Sequence, residues 1–412
     1  MSEFFGTPQK REPLKQIVKQ LHAGKSVSDL KHEFADVLEG LSAEEIAQME
    51  QELIDEGFGV ESIQQLCDVH VEVFEDELKK QKDEHVLPGH PVYTYKEENR
   101  ELEKRLEKLD DEIKAYKKTS GNLEAVIGLL SDLKNFEKHY QRKENQLFPK
   151  LEQTGFNGPT SVMWGKHDEI RDRLKETLSL CREEATPKQI KKSGSALIQA
   201  MKNMIFMEEK ILFPTSVKRL DPITWAHIHA EEKEIGFVWT TPGSTWDPSI
   251  AIRAAAGRRK ERGEAEPEPV KVSEAAAEGL IDMQEGKLTA EQLNLMLTNI
   301  PIDLTFVDEN DKVCYYSATD DRIFPRTPAI IGREVAKCHP PKSVHVVEKI
   351  VEAFKNREKD KAMFWLDFAG RKVMITYYPV FDGDDNYRGV IEFSQDITEI
   401  QRLEGEHRLL DW

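Results

Sequence analysis

The sequence predicts a multidomain chain: an all-α N-terminal unit, a four-helix bundle and then an α+β domain. Length is the first reason, because 412 residues at roughly 150 per domain ask for two or three compact units. The second is a change of period. Apolar residues recur at helical spacing through residues 12–240 and at strand spacing in the C-terminal part. The third is the stretch AIRAAAGRRKERGEAEPEPVKVSEAAAEG between them, rich in Ala, Gly, Pro and charge and without apolar periodicity, which is a linker composition. The resulting parts are a small helical domain over 12–84, the bundle over 85–240, a linker over 241–285, the α+β domain over 286–400 and a tail over 401–412.

Composition narrows the function. Hydrophobic residues at 39% supply enough apolar material for several small cores, and a net charge of -18 repels phosphate backbones and anionic lipid surfaces. Nucleic acid and membrane are therefore not expected as partners. No apolar run reaches the length of a spanning helix, and MSEFFGTPQKREP lacks the apolar segment of a signal peptide, so a cytoplasmic location is expected. Cys67, Cys181, Cys314 and Cys338 show no C-x-x-C spacing, which leaves His and carboxylates as the donors for any metal.

In the first part, glycines at 24, 40, 57 and 59 divide short helical segments, and Ser42 with Glu45 has the form of a capping box. The bundle reads as four long helices. Leu102, Leu106, Leu109, Ile113 and Tyr116 mark the first, over about 92–117. The others run over about 121–150, 160–183 and 188–219. After the linker, strands are expected at Leu304–Asp308, Val313–Ser317, Ala362–Phe368, Lys372–Pro379 and Tyr387–Gln395, with turns at Glu309-Asn310-Asp311, Ala369-Gly370 and Asp382–Asn386.

Polar residues on the apolar stripe of a bundle helix demand an explanation, because a buried unpaired charge costs several kcal/mol. Glu144 shares the stripe of Val126, Leu130, Leu133, Tyr140 and Leu147. His167 shares that of Met163, Ile170, Leu174 and Leu178, and Glu208 that of Leu197, Met201, Met204 and Ile211. Two acids and one imidazole thus point inward from three helices. Imidazole and carboxylate from facing helices are the donors of carboxylate-bridged iron sites. In the small helical domain, His70 lies on a stripe with Ile63, Leu66, Cys67, Phe74 and Leu78. His227 and His229 form a further pair.

An internal echo follows: Glu144–Pro149 and Glu209–Pro214 share the frame E-x-x-L-F-P, each closing a long helix. With it, residues 85–220 resemble the hemerythrin-like HHE cation-binding family, whose repeat is H-x-x-x-E-E-x-x-L-F-P and whose four-helix bundle holds a non-haem iron pair. The resemblance implies His90, His139, His167 and Glu208 as metal ligands and Glu144 as a bridging carboxylate; His70, on the apolar stripe of the small helical domain, is a candidate replacement ligand from outside that stretch. The pattern is incomplete. Lys143 stands in place of the first repeat's Glu, Met204 in place of the second repeat's His, and Arg171 where a second His of the third helix would fall. On a straight helix His139 and Glu144 lie about 140° apart, so either a π-bulge brings them together or only one is a ligand.

Residues 293–400 resemble a PAS sensor domain through PIDLTFVD at 301–308, Gly332-Arg333 and GVIEFSQDIT at 389–398. That resemblance implies a small ligand, haem or a dimer partner, with His339 and Cys338 as the candidate haem ligands and His345 as a further one. The expected function is a non-haem, di-iron sensor or signalling protein responding to O2, NO, peroxide or redox state. Its PAS domain would act as relay, a protein partner as output, and a homodimer could form through the PAS domain. The alternative is a di-iron enzyme or metal-handling protein acting on peroxide or NO or repairing iron centres. A metal-free polar core serving an interaction scaffold is the third reading.

Overall fold

The computed structural model describes parts of residues 12–57, Leu78, and residues 86–117, 123–250 and 280–405 except 284, 320 and 321. The chain forms two compact units, one from residues 1–258 and one from 259–339 and 343–412. In the first unit, α1 (Val27–Glu33) is capped by the Ser26 hydroxyl, and α2 is Ala43–Asp55. The Gln51 side chain accepts from the amides of Asn157 and Gly158 at 3.0 and 2.6 Å, tying α2 to the bundle. Ser42, Cys67 and His70 lie outside the described residues.

The bundle begins at α3 (Pro91–Ala115), whose cap is His90: its Nδ1 accepts from the Val92 amide at 3.2 Å, and Pro91 occupies the first turn, where no donor is needed. The second rod comprises α4 (Leu123–Leu133), a 3-10 turn, α5 (Glu137–Arg142), a π turn over Lys143–Leu147 and α6 (Phe148–Glu152). α7 (Gly158–Arg182) is the third. The Thr186 and Gln189 capping box opens α8 (Pro187–Met207), which continues through a π turn over Glu208–Leu212 into α9 (Phe213–Arg219). α3 packs on α4 and α8, and α7 packs on the same two, which closes a ring of four. Leu102, Leu106, Leu109, Val126, Leu130, Leu178, Leu197 and Met201 fill it. A further helix, α10 (Pro222–Ile235), capped by Asp221 and ended by Gly236 at φ +89°, packs against α3 and α5.

Both π turns end at L-F-P, and the proline explains them. Pro149 and Pro214 have no N–H to offer the carbonyl four residues back, and their rings crowd it. The helix responds by lengthening one turn. Phe148 N–H bonds the Lys143 carbonyl and Phe213 N–H bonds the Glu208 carbonyl, each five residues back.

In the second unit, the hairpin β1 (Leu280–Asp282) and β2 (Lys287–Thr289) leads into α11 (Ala290–Asn299). The main sheet holds β3 (Asp303–Asp308), β4 (Val313–Tyr316), β5 (Ala362–Phe368), β6 (Arg371–Phe381) and β7 (Tyr387–Asp396), in the order β4-β3-β7-β6-β5 and antiparallel throughout. α12 (Pro341–Lys355) covers one face, with Val347, Val351 and Phe354 buried. The β5–β6 turn places Ala369 and Gly370 at φ +51° and +81°, the sign that a two-residue hairpin turn requires. β1 falls within the stretch whose composition reads as linker.

Candidate functional site

The stripe residues of the bundle meet in one buried network. His139 Nδ1 lies 2.8 Å from Glu98 Oε2 on α3, and its Nε2 lies 3.1 Å from Glu208 Oε2. His167 Nδ1 lies 2.7 Å from Glu144 Oε1, and its Nε2 lies 2.8 Å from Lys143 Nζ. The Lys143 ammonium also donates to Glu208 Oε1, so one lysine and one glutamate join the two imidazoles. Each histidine ring stacks on an aromatic of the second rod, His139 on Phe136 one turn back at 4.4 Å and His167 on Tyr140 across the helix interface at 4.3 Å.

Arginines hold the outer carboxylates. Arg142 bonds Glu98 and donates to Glu232 Oε1 at 2.9 Å, while the amide of Val238 donates to the second Glu98 oxygen at 2.9 Å. Arg171 donates to Glu144 Oε2 at 3.0 Å and grips Glu137 at 3.0 and 2.8 Å. Asn99 Nδ2 donates to Glu208 Oε2 at 2.9 Å. The side chains of Glu98, His139, Arg142, Lys143, His167 and Glu208 are fully buried.

An ammonium can only donate, so His167 Nε2 accepts from Lys143 and Nδ1 carries the proton given to Glu144. Burial, with the neighbouring cations Lys143 and Arg171, keeps His167 neutral well below the usual histidine range. Burial alone would raise Glu208, but Lys143 and His139 overcome it and hold the carboxylate ionised far below its ordinary value. Burial pulls Lys143 down, and the Glu208 carboxylate opposes that pull.

His139, Glu144, His167 and Glu208 therefore come together; helical phase placed Glu144, His167 and Glu208 inward, and the family resemblance alone implied His139. The π turn buries both His139 and Glu144. His90 has a different setting: it caps α3, and its ring packs on Trp225 and Trp246 at 4.6 and 4.9 Å. Burial and nearby His229 lower it to about 4. Glu98, Asn99, Arg142 and Glu232 belong to the network without having been singled out by the sequence. Glu98 was accessible to the phase argument, four residues before Leu102, but its neighbours Lys96, Glu97 and Arg100 disguise that turn as a solvated face.

An iron pair needs several donors facing open positions, and this donor set does not fit one. The two forward imidazole nitrogens and both oxygens of Glu208 are already engaged, with the Lys143 ammonium between His167 and Glu208. Among the described residues no group of three His, Cys, Asp or Glu side chains is disposed to hold a metal ion. In the second unit, Cys338 is buried with Sγ turned to the Glu334 carbonyl at 3.6 Å. His339 Nδ1 lies 2.9 Å from the Val335 carbonyl, and His345 is exposed. A cavity of about 520 Å³ beside α12 is lined by Asp311, Glu334, Val335 and Lys355, not by Cys338 or His339. Charged side chains and the apolar Val335, Ala336 and Val351 line it together, and neither candidate haem ligand reaches it.

Family models match three stretches: DUF438, a family of unknown function, over residues 14–80, the hemerythrin HHE cation binding domain over 90–216, and the PAS domain over 293–398. The chain joins a DUF438 region, a hemerythrin domain and a PAS domain. Among solved structures, the C-terminal domain of a protein from Streptococcus mutans is 36% identical over 30% of this chain and 97% of its own, with a TM-score of 0.29. The PAS domain of a Colwellia psychrerythraea protein is 14% identical over 26% and 97%, TM-score 0.22. The PAS domain of Bordetella pertussis BvgS is 18% identical over 27% and 90%, TM-score 0.23. No curated protein matches the chain. The hemerythrin domain points to cation binding and the PAS domain to sensing. No helix among the described residues is long and apolar enough to cross a membrane.

Proposed function

We propose that this chain is a signalling protein in which the PAS domain, residues 286–400, receives a small ligand, and the hemerythrin domain, residues 85–240, is a charge-locked helical body. A DUF438 domain over 12–84, a linker over 241–285 and a tail over 401–412 complete the reading. The observation that carries it is a polar row inside the PAS domain. Thr305, Glu392 and Tyr377 are cross-strand neighbours on β3, β7 and β6, all three are buried, and they share a sheet face with the core residues Val307, Val390 and Ile375. His339 feels Glu392, Arg326 and Arg333 nearby. Polar groups buried on the inner face of a sheet cost stability unless they are satisfied. Arg322 donates to Thr305 at 3.2 Å and Tyr377 bonds Glu392, so the row is a connected polar cluster set among apolar core residues, the composition that small-ligand sites share.

The iron-dependent version of this reading has an iron pair responding to O2, NO or redox state. The packed Lys143 and Glu208 weigh against it, and they weigh equally against an enzyme acting on peroxide or NO or repairing iron centres. Output passes to a protein partner or to a second copy through the PAS domain, where edge strand β5 exposes Trp365 at 62%. Hydrogen exchange of the full chain, with and without NO, peroxide or a small-molecule cell extract, tests the proposal. Protection gained at β3, β6 and β7 is expected. Steady turnover of peroxide or NO without that protection overturns it in favour of the enzyme.

A further inference from the structure

We infer that the hemerythrin domain of this chain carries its cation covalently: the ammonium of Lys143 holds the central position, and the wild-type core takes no metal there. The inference is independent of the PAS reading.

The first support is orientation. His139 and His167 are each held from behind at Nδ1 by a carboxylate, Glu98 or Glu144, and each of these is in turn bound by an arginine, Arg142 or Arg171. For His167 the carboxylate fixes the tautomer and presents Nε2 forward as an acceptor, the arrangement that serves cation ligands, whereas His139 has a carboxylate at each ring nitrogen. What the forward nitrogens meet is Lys143 in one case and Glu208 in the other.

The second support is charge. Glu208 is fully buried, and a buried carboxylate must have a counter-ion. Lys143 supplies it from the rod diagonally opposite in the ring of four, and Asn99 adds a hydrogen bond. A divalent ion bound to the same carboxylate and the same two nitrogens would have to expel a fully buried ammonium from its partners.

The third support is backbone. The π turn that begins at Lys143 is imposed by Pro149, and the matching turn that begins at Glu208 by Pro214. The two partners of the central ion pair are thus the first residues of two equivalent helix distortions. The pair is built into the repeat itself.

The test uses the full chain labelled with 15N-lysine and titrated anaerobically with Fe2+ and separately with Zn2+. A slowly exchanging Lys143 ammonium resonance that neither metal alters is expected. The Lys143→Ala variant leaves Glu208 and the forward nitrogen of His167 without their ammonium, so it should retain either metal through desalting, and its melting temperature should rise on loading. Lys143→Arg should retain none at this position. A wild-type Lys143 resonance that vanishes as metal is retained would overturn the inference, as would a folded Lys143→Ala that binds neither ion. If Lys143→Ala does not fold, the wild-type resonance alone decides.

Discussion

The ammonium nitrogen of Lys143 lies 2.8 Å from Nε2 of His167, and that contact sets the proton of the ring on Nδ1, against Glu144. Because the same ammonium also holds Glu208, one side chain joins two otherwise separate halves of the bundle core. Lys143→Met removes the charge and keeps most of the volume. It should cost about 3–5 kcal/mol, the usual penalty for stranding one partner of a buried pair. Lys143→Met with Glu208→Gln should cost clearly less than Lys143→Met alone. Denaturant unfolding of the helical unit measures both, and equal losses would mean that the pair is not coupled.

The π turn over Lys143–Leu147 holds one residue more than an α turn. Deleting Asn145 should restore α-helical register and turn the residues on either side by about 100° relative to each other. His139 and Lys143 then cannot meet Glu208 while Leu147 and Phe148 keep their places in the core. The expected outcome is a loss of several kcal/mol, large for a single-residue change, read from the melting of the helical signal. A deletion that leaves the melting temperature unchanged would contradict the role given to this turn.

His90 gives a pH dependence. Its folded value is about 4, below the ordinary 6.5, so the unfolded chain binds the proton more readily between those values. Its contribution is therefore complete above about pH 6.5 and is lost as pH falls towards 4, a change of about 3 kcal/mol at 1.36 kcal/mol per pH unit. His90→Asn keeps a capping acceptor for α3 but does not titrate. The difference between the wild-type and His90→Asn melting curves should follow this window. Parallel pH profiles would show that His90 does not titrate as described.

Gly389 in β7 has φ +133°, and a Cβ there would stand 2.0 Å from the Val307 carbonyl oxygen of β3. Gly389→Ala forces either the backbone or the β3–β7 pairing to move. Backbone strain alone costs about 1–3 kcal/mol, and the clash adds to it. Near-ultraviolet circular dichroism of the PAS domain within the full chain should show an earlier melt, with the helical unit unaffected.

Much of this was legible in the sequence, and the remainder has physical reasons. The period of two located all five strands of the PAS sheet because its inner face alternates with an outer one, as in Asp303–Asp308. Helical phase placed Glu144, His167 and Glu208 in the core because an apolar stripe leaves little ambiguity about what shares it. The awkward spacing of His139 and Glu144 left two readings open, a π-bulge or a single ligand; the structure has the π turn, and the proline five residues after Glu144 is its cause. Arg142 was not legible: it lies off the stripe and is buried only because α10 covers it and offers Glu232. Lys143 was visible as a departure from the family repeat. That it occupies the centre depends on where three other helices put their carboxylates and imidazoles, which no local pattern records.

The most direct test of the central claim is metal analysis of the wild-type full chain purified from iron-replete cells, joined to its optical spectrum with and without oxygen. The lysine-centred core predicts no stoichiometric iron and no oxygen-dependent ligand-to-metal band. Stoichiometric iron with such a band, lost in Glu208→Ala, would contradict it.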